Sequence, residues 1–574
     1  MDRLLLDPHV SRAEEVTLGA LLRCCIRELG GPRGQVGPAE PYLLLEVAGT
    51  LIRVRAHGGI ALRFEGRPEW LSDGSWLPLT SELLVELAER ELRGAEREIG
   101  GAGDRVPGQT AGHAPSHASD RTLGQAADSA SGLGTNDEFG AQIAASRDAI
   151  AALLAARART RPPSDPWLTS EQSLVDGHPF HPSPKAHTGS GLTRYAPEAR
   201  AEFPLRLLGV RADLVAEQGD TTPLDGLGAA PRGYTLLPAH PWQVELVADD
   251  LRAPLADGRL LDLGYGSHAV TPTSSVRTVY DPVTENCLKF SLDVRITNCV
   301  RKNAWYELIG AVELTDRLRP VFGRLAGDFP GTRWLPEPGY RSAALGTRLF
   351  EALGVILRSG PWRECGPGVT PILAGALAAT TSELPEAVTA RRWEDPHGWW
   401  RAYVERVAPP VLDAYFTHGV VLEPHVQNVL VGFGADGLPA EAIFRDLEGT
   451  KLVAGRHDLA GLPDRVAQAA TYDPARGWNR VVYCLVVNHL AEVAATVAEV
   501  AGTERLLDDL WHAAHEVLEE YAQGHGRPGP LAELLGGAPL PAKANLGVRW
   551  SRSADRAAGY TAVASPLAVY SPRM

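Results

Sequence analysis

From Leu288 to Thr297 the chain reads LKFSLDVRIT, and every second residue is apolar. Side chains alternate across a strand. Leu288, Phe290, Leu292, Val294 and Ile296 therefore face one way, and Lys289, Ser291, Asp293, Arg295 and Thr297 the other. The pattern predicts one strand with a packed face and a polar, partly cationic face, either the wall of a cleft or an ordinary half-solvated strand. Its company favours the cleft: Ser274, Ser275, Arg277 and Thr278 precede it, and Arg301 and Lys302 follow. Hydroxyls and several cations near one strand suit phosphates or carboxylates, because charge-assisted hydrogen bonds are strong where water is thin.

At 574 residues the chain exceeds one ordinary core, and two to four structural units are expected. Lysine and arginine total 56 against 70 acids, a net charge of -14. That balance argues against nucleic acid as a partner, so any cationic site must be local. The start, MDRLLLDPHV, shows no apolar run of signal-peptide length. The most apolar helical stretch, VVYCLVVNHLAEVAATVAEVAG, is interrupted by Asn488, His489, Glu492 and Glu499 and reads as a buried helix, with no membrane span expected. Six cysteines without a CxxC pair suit reduced, mostly buried thiols in a cytoplasmic protein.

Leu18, Leu21, Leu22, Cys25, Ile26 and Leu29 recur at helical spacing near the N-terminus. YLLLEVAGTLIRVRA reads as a hairpin about Gly49, and Thr80 or Ser81 can cap the helix that follows. Between about 99 and 135 the composition turns to Gly, Ala, Ser, Thr and Asp, which bury too little to offset chain entropy; a disordered insertion is expected there. The middle third is mixed and the last third mostly helical, giving an α+β, multi-domain chain.

One late hairpin stands out, VVLEPHVQNVLVGFGADGLPAEAIFRDLEG. It places His425 and Asn428 at one strand's start and Asp446 and Glu448 at the other's end. Kinases set an Asn and a later Asp on such strands to hold magnesium against nucleotide phosphates, and Asn428 with Asp446 would supply those oxygens. Earlier, GHPFHPSPKAHTGSG carries His178, His181, His187 and Lys185. No cysteine or fourth ligand at metal-site spacing accompanies them. The segment reads as a rigid loop presenting His181 and Lys185 to anionic ligands, with Gly189 and Gly191 permitting close approach; the alternative is histidines bonded only to nearby backbone. LPAHPWQ, with His240 and Trp242, reads as a packed turn.

The ordered series HPFHPSPK, HPWQ, PTSSVRT, LKFSLDVRITNCVR, EPHVQNVLV, FRDLEG and PAKANLGVR resembles the siderophore synthetases that work without a nonribosomal peptide synthetase, the IucA/IucC or aerobactin-synthetase-like family. It spans about 177 to 549. The resemblance implies a cupped hand: a helical thumb at 1–165, mixed fingers at 166–380 and a palm with kinase-like features at 381–574. It implies an ATP-dependent, AMP-forming ligase that adenylates citrate or a citrate derivative with magnesium-ATP and condenses it with an amine, hydroxylamine or alcohol. It also implies a homodimer. By motif position, Ser275, Arg277, Thr278 and Lys289 would hold ATP phosphates, and Thr297 and Arg301 would lie near the reacting carboxylate. His425 and Asn428 would contact the α-phosphate region, with Asp446 on magnesium. The catalytic set would be Arg301, His425, Lys289 and Thr297.

Two other readings compete. A small-molecule kinase gains support from Glu423, five residues before Asn428, where aminoglycoside-type phosphotransferases carry a catalytic Asp. No kinase Gly-rich loop precedes Lys289, however, and Arg277 and Arg301 suit two anionic reactants better than an alcohol acceptor. A silent siderophore-binding protein would have been favoured by loss of Lys289, Arg301 or Asp446, and all three are present.

Overall fold

The computed structural model describes residues 7–101, 136–187, 191–296, 299–379, 383–553 and 559–568. Thr297, Gly189 and the expected disordered insertion beyond Gly101 lie outside the described residues. Asp7 accepts the His9 N–H and caps the helix Pro8–Cys24, with Pro8 in the first turn where no donor is lost. The helix runs on through Cys25–Gly30 into an antiparallel meander of five strands in sequence order. The expected hairpin is present: Val47 pairs with Thr50, and Ala48 and Gly49 take φ of 48° and 74°, the left-handed pair that a two-residue hairpin turn needs. Thr80 Oγ1 accepts the Leu83 N–H (3.3 Å) to cap the helix Ser81–Gly101. Leu21, Leu45, Ile52 and Leu87 form a core closed by Leu546 and Trp550 from the far end of the chain.

The centre is an eight-stranded antiparallel sheet. Its spatial order is Val215–Gly219, Gly339–Ala343, Val355–Ser359, Asn286–Phe290, Thr278–Asp281, Leu260–Pro272, Phe203–Arg211 and Tyr234–Ala239. The expectation of one strand from Leu288 to Thr297 is corrected here. Asn286–Phe290 lies inside this sheet, and the chain leaves it at Ser291, whose Oγ donates to the Glu351 carbonyl (2.5 Å) and accepts the Asn303 N–H (2.9 Å). Leu292–Ile296 then pairs with Cys299–Arg301 in a separate ribbon. Both pieces keep the two-residue period, so the break is invisible in the pattern. The polar face divides with it: Lys289 is 2% exposed, because acids from the late hairpin cover it, whereas Arg295 on the ribbon is exposed.

That late hairpin pairs Val429–Phe433 with Pro439–Phe444, as expected, inside a four-stranded sheet with Thr332–Trp334 and Thr370–Leu373. The helices Trp305–Asp328, Pro396–Phe416 and Glu504–Gly524 pack beside it around Trp399, Trp400, Tyr403 and Phe322. The helical run Pro474–Ala501 is long and apolar enough to cross a membrane, yet 94% of its most apolar window is buried by the rest of the fold. It is the spine of this core, as its interrupting polar residues suggested. Among the described residues, Cys24, Cys25, Cys287 and Cys484 are buried free thiols and Cys365 is partly buried.

Candidate active site

A cleft of about 1980 Å³ lies where the central sheet, the late hairpin, the long helix and the N-terminal helix meet. At one end Lys289 donates to Asp446 Oδ1 (2.7 Å) and lies 3.0 Å from Glu448 Oε2. Arg277 donates to Glu448 Oε2 (2.7 Å) and to Asn303 Oδ1 (2.7 Å). Arg358 donates to Asp446 Oδ1 (3.0 Å) and, through Nε, to buried Glu337 (2.9 Å). Three cations and three acids thus interleave between two sheets. Burial alone would raise the Asp446 and Glu448 carboxyls, but Lys289 with Arg358 or Arg277 overrides it: Asp446 is held well below the carboxylate range and Glu448 down to about 2. The same acids override burial at Lys289 and raise its pKa, so Lys289, Asp446 and Glu448 stay charged together. Asp446 has φ 72°, a left-handed conformation that Asp tolerates better than most residues, and the turn it makes aims both acids at Lys289.

Beside this cluster Arg445 grips Glu171 with two hydrogen bonds (2.6 and 3.0 Å), and both residues are buried. Arg445 also donates to Ser274 Oγ (3.0 Å) and the Gln427 carbonyl, while Glu171 accepts the Ser274 N–H (2.9 Å). One ion pair therefore ties the Ser274–Thr278 turn to the hairpin start that carries His425 and Asn428. Thr278 donates its N–H to the Ser275 carbonyl (2.9 Å), which closes the turn.

The histidines share one device. His178, His181 and His240 each precede a proline, and each Nδ1 accepts the N–H two residues on, from Phe180 (3.0 Å), Ser183 (3.1 Å) and Trp242 (3.2 Å). His425 does the same with Gln427 (3.3 Å). A nitrogen that accepts is unprotonated, so the neutral rings of His240 and His425 carry their proton on Nε2, whereas His178 Nε2 lies 2.8 Å from the Asn488 amide nitrogen. Burial pushes His425 down to about 4 and His240 to about 3, which keeps both neutral. His425 lines the cleft. It is therefore a neutral Nε2–H donor there, not a base.

The structure brings Arg277, Lys289, Asp446, Ser275, Thr278, His425, Asn428 and Arg301 onto the lining of one cleft. His181 and Lys185 also line this cleft. Lys185 Nζ pairs with Glu198 and donates to the Leu174 carbonyl (2.7 Å), and its loop is held by Arg549 on Ser183 (2.7 Å) and Asn545 on the Phe180 carbonyl (2.9 Å). Glu423 pairs with Arg480 (3.0 Å). Glu171, Asn303, Glu337, Arg358 and Arg445 were missed by sequence reasoning. Arg358 had left a signal, a charge inside the apolar strand VILRS.

The residues fit a magnesium ion: Asp446 and Glu448 are ionised oxygen donors, the Asn428 amide lies on the same wall, and a hard cation takes most other ligands from phosphate and water. A profile of the IucA / IucC family matches residues 166–379. That segment belongs to the family. A second profile, described as ferric iron reductase FhuF-like transporter, matches residues 397–558. The L-2,3-diaminopropanoate–citrate ligase of Staphylococcus aureus is 29% identical over 420 residues, 67% of this chain and 71% of that protein. The rhizobactin siderophore biosynthesis protein RhbC of Rhizobium meliloti is 31% identical over 49% of this chain and 54% of its own length. ATP-bound aerobactin synthetase IucA of Klebsiella pneumoniae superposes with a TM-score of 0.74, 22% identity, 96% of this chain and 99% of that one. That likeness establishes the mixed α and β fold of this family.

Proposed function

We propose that this chain is an ATP-dependent siderophore synthetase that adenylates a carboxylate of citrate or a citrate derivative and condenses it with an amine, hydroxylamine or alcohol. The observation that carries the reading is the interleaved cluster of Lys289, Arg277 and Arg358 with Asp446 and Glu448 on the cleft wall of a chain with net charge -14. An anionic carboxylate must approach an anionic α-phosphate, and repulsion is the main obstacle. Preorganised cations lower it without reorganising at the moment of reaction.

In the first step a carboxylate oxygen bonds to the α-phosphorus and the bond to the bridging oxygen breaks, releasing pyrophosphate. In the second the nucleophile adds to the acyl carbon, the bond to the AMP oxygen breaks, and the nucleophile's proton passes to solvent. Arg277 and Lys289 bind the phosphates, with Ser275 and Thr278 donating from the turn. Arg301 holds the reacting carboxylate, with Thr297 beside it. His425 donates Nε2–H to the α-phosphate and Asn428 supports it. Asp446 and Asn428 would hold magnesium, which would supply charge neutralisation at the phosphates. The thumb, fingers and palm arrangement, a homodimer and a cytoplasmic location belong to the same reading.

Incubated with citrate, ATP and magnesium, the enzyme is expected to exchange labelled pyrophosphate into ATP without any amine. Added hydroxylamine should trap a hydroxamate. Formation of ADP and no AMP across a panel of acids overturns the reading in favour of a kinase. The pairing of Glu423 with Arg480 weighs against that alternative, because it occupies the carboxylate a phosphotransferase would use as base.

A further inference from the structure

The cleft continues past this site to the N-terminal helix, where a second group of arginines stands. Arg63 is fixed by Glu492 (2.9 Å), the Ala378 carbonyl (3.1 Å) and Thr496 Oγ1 (3.3 Å). Arg23 donates from Nε to the Leu62 carbonyl (2.7 Å) and lies 4.9 Å from the Phe64 ring centre. Among the described residues Arg23 forms no ion pair. Its neighbours in charge are Arg63, which opposes it, and two acids held by other arginines: Glu492 by Arg63, and Asp176 by Arg12 (2.7 Å). Burial and Arg63 push the Arg23 guanidinium down to about 10, which still leaves it charged at neutral pH.

The corner also keeps space open. Gly19 sits one turn before Arg23 inside the helix, where glycine costs about 0.5–1 kcal/mol relative to alanine. A Cβ there would stand 3.3 Å from Arg23 Nη1, and Gly19, Arg23, Arg63 and Phe64 all line the cleft. A positive charge left unneutralised on a cleft wall, with a neighbour held rigid, is preorganised for an anion.

We propose that Arg23 and Arg63 form a second carboxylate subsite, at the end of the cleft away from the Lys289 cluster, and that its occupant is a carboxylate carried by the incoming amine. The inference rests on the synthetase reading above. The acid being adenylated already meets Arg301, so the thumb-side charge selects among nucleophiles. It favours an amine with its own carboxylate and disfavours a polyamine, which would meet like charge. The other source of the same chemistry is a distal carboxylate of the acid.

The test compares matched pairs of amines that differ only in the carboxylate: L-lysine with 1,5-diaminopentane and L-2,3-diaminopropanoate with 1,2-diaminoethane. AMP release is followed with saturating citrate and ATP. At least one carboxylated amine should surpass its twin in kcat/KM by about tenfold or more, the usual worth of a charge-assisted hydrogen bond. Arg23→Gln and Arg23→Lys should raise KM for that amine and, for Gln, erase the preference. Pyrophosphate exchange, which needs no amine, tells the sources apart: a raised citrate KM in Arg23→Gln assigns the subsite to the acid. Calorimetric titration of citrate and of L-lysine into wild type and Arg23→Gln reads binding without turnover. Equal affinities, equal KM values and no preference within any pair overturn the subsite. Absence of exchange with every acid overturns the synthetase reading instead, and calorimetry then still decides the subsite.

Discussion

Lys289, on the central sheet, and Asp446, at the end of the late hairpin, meet at 2.7 Å and join two sheets across the cleft wall. Each holds the other ionised against burial. Removing one leaves the other's charge buried with altered compensation, which typically costs about 3–5 kcal/mol. Arg358 and Glu448 soften that cost here, since both remain as partners.

Asp446→Asn is therefore expected to fold and to lose metal-dependent ATP affinity. Calorimetric titration of ATP with and without magnesium checks it. Wild type should bind more weakly after chelation, and the variant should show little further change. Lys289→Ala should weaken nucleotide binding with or without metal.

The acids of this cluster also set an acid limit. Their folded pKa values lie below the unfolded ones, so their stabilisation is complete above about pH 4.5 and is lost as pH falls toward about 2. Lys289 has the opposite sign: its raised pKa gives stabilisation that is lost only above its ordinary value of 10.5. Thermal unfolding between pH 2 and 5 should show a fall that Glu448→Gln reduces.

Arg445 and Glu171 form a buried ion pair beside the site, and breaking it from either end leaves a lone buried charge. Glu171→Gln or Arg445→Met should destabilise the protein by about 3–5 kcal/mol. The double variant Glu171→Met with Arg445→Met should recover part of that loss in denaturant melts. It should not recover ATP binding, because Ser274 loses its bonds to Glu171 and Arg445 and keeps those from the Gln427 amide.

How far the sequence foretold this site depends on the range over which each signal acts. The Gly49 hairpin, the Thr80 cap and the late hairpin are local, set by a turn's φ values or one side-chain oxygen, and were legible. The ordered motifs located Arg277, Lys289 and Asp446. The partners of those residues were not legible, because Lys289 and Asp446 lie 157 positions apart and Arg445 and Glu171 lie 274 apart. The break at Ser291 was hidden for a different reason: it preserves the strand period while two hydrogen bonds, to Glu351 and from Asn303, bend the backbone.

The stretch from about 99 to 135 reads from composition as a disordered insertion, and we expect it to be dispensable. Asn136 itself is anchored, donating from Nδ2 to the Arg549 carbonyl (2.9 Å). Replacing residues 102–135 with a short Gly/Ser linker should leave the melting temperature and pyrophosphate exchange near wild type. A large loss of either would show that the segment packs against the site.

His425 makes the sharpest test of tautomer and charge. Its Nδ1 accepts the Gln427 N–H, and its pKa of about 4 keeps it neutral across the working range. A pKa of about 4 places any acid limb from this residue near pH 4, so the substitutions, and not the profile above pH 5.5, separate a base from a donor. We expect kcat/KM for the exchange half-reaction to show no His425-dependent limb between pH 5.5 and 8. Stability behaves otherwise. Because the folded pKa is depressed, the His425 contribution is complete above about pH 6.5 and is lost as pH falls through about 4. His425→Gln keeps a donor in a similar place and should retain measurable exchange, whereas His425→Leu should lose about 100-fold or more, the effect of removing one donor to a developing oxyanion. A histidine limb present in wild type and absent in His425→Gln would mean that the ring exchanges protons during the reaction, and the donor assignment would fail.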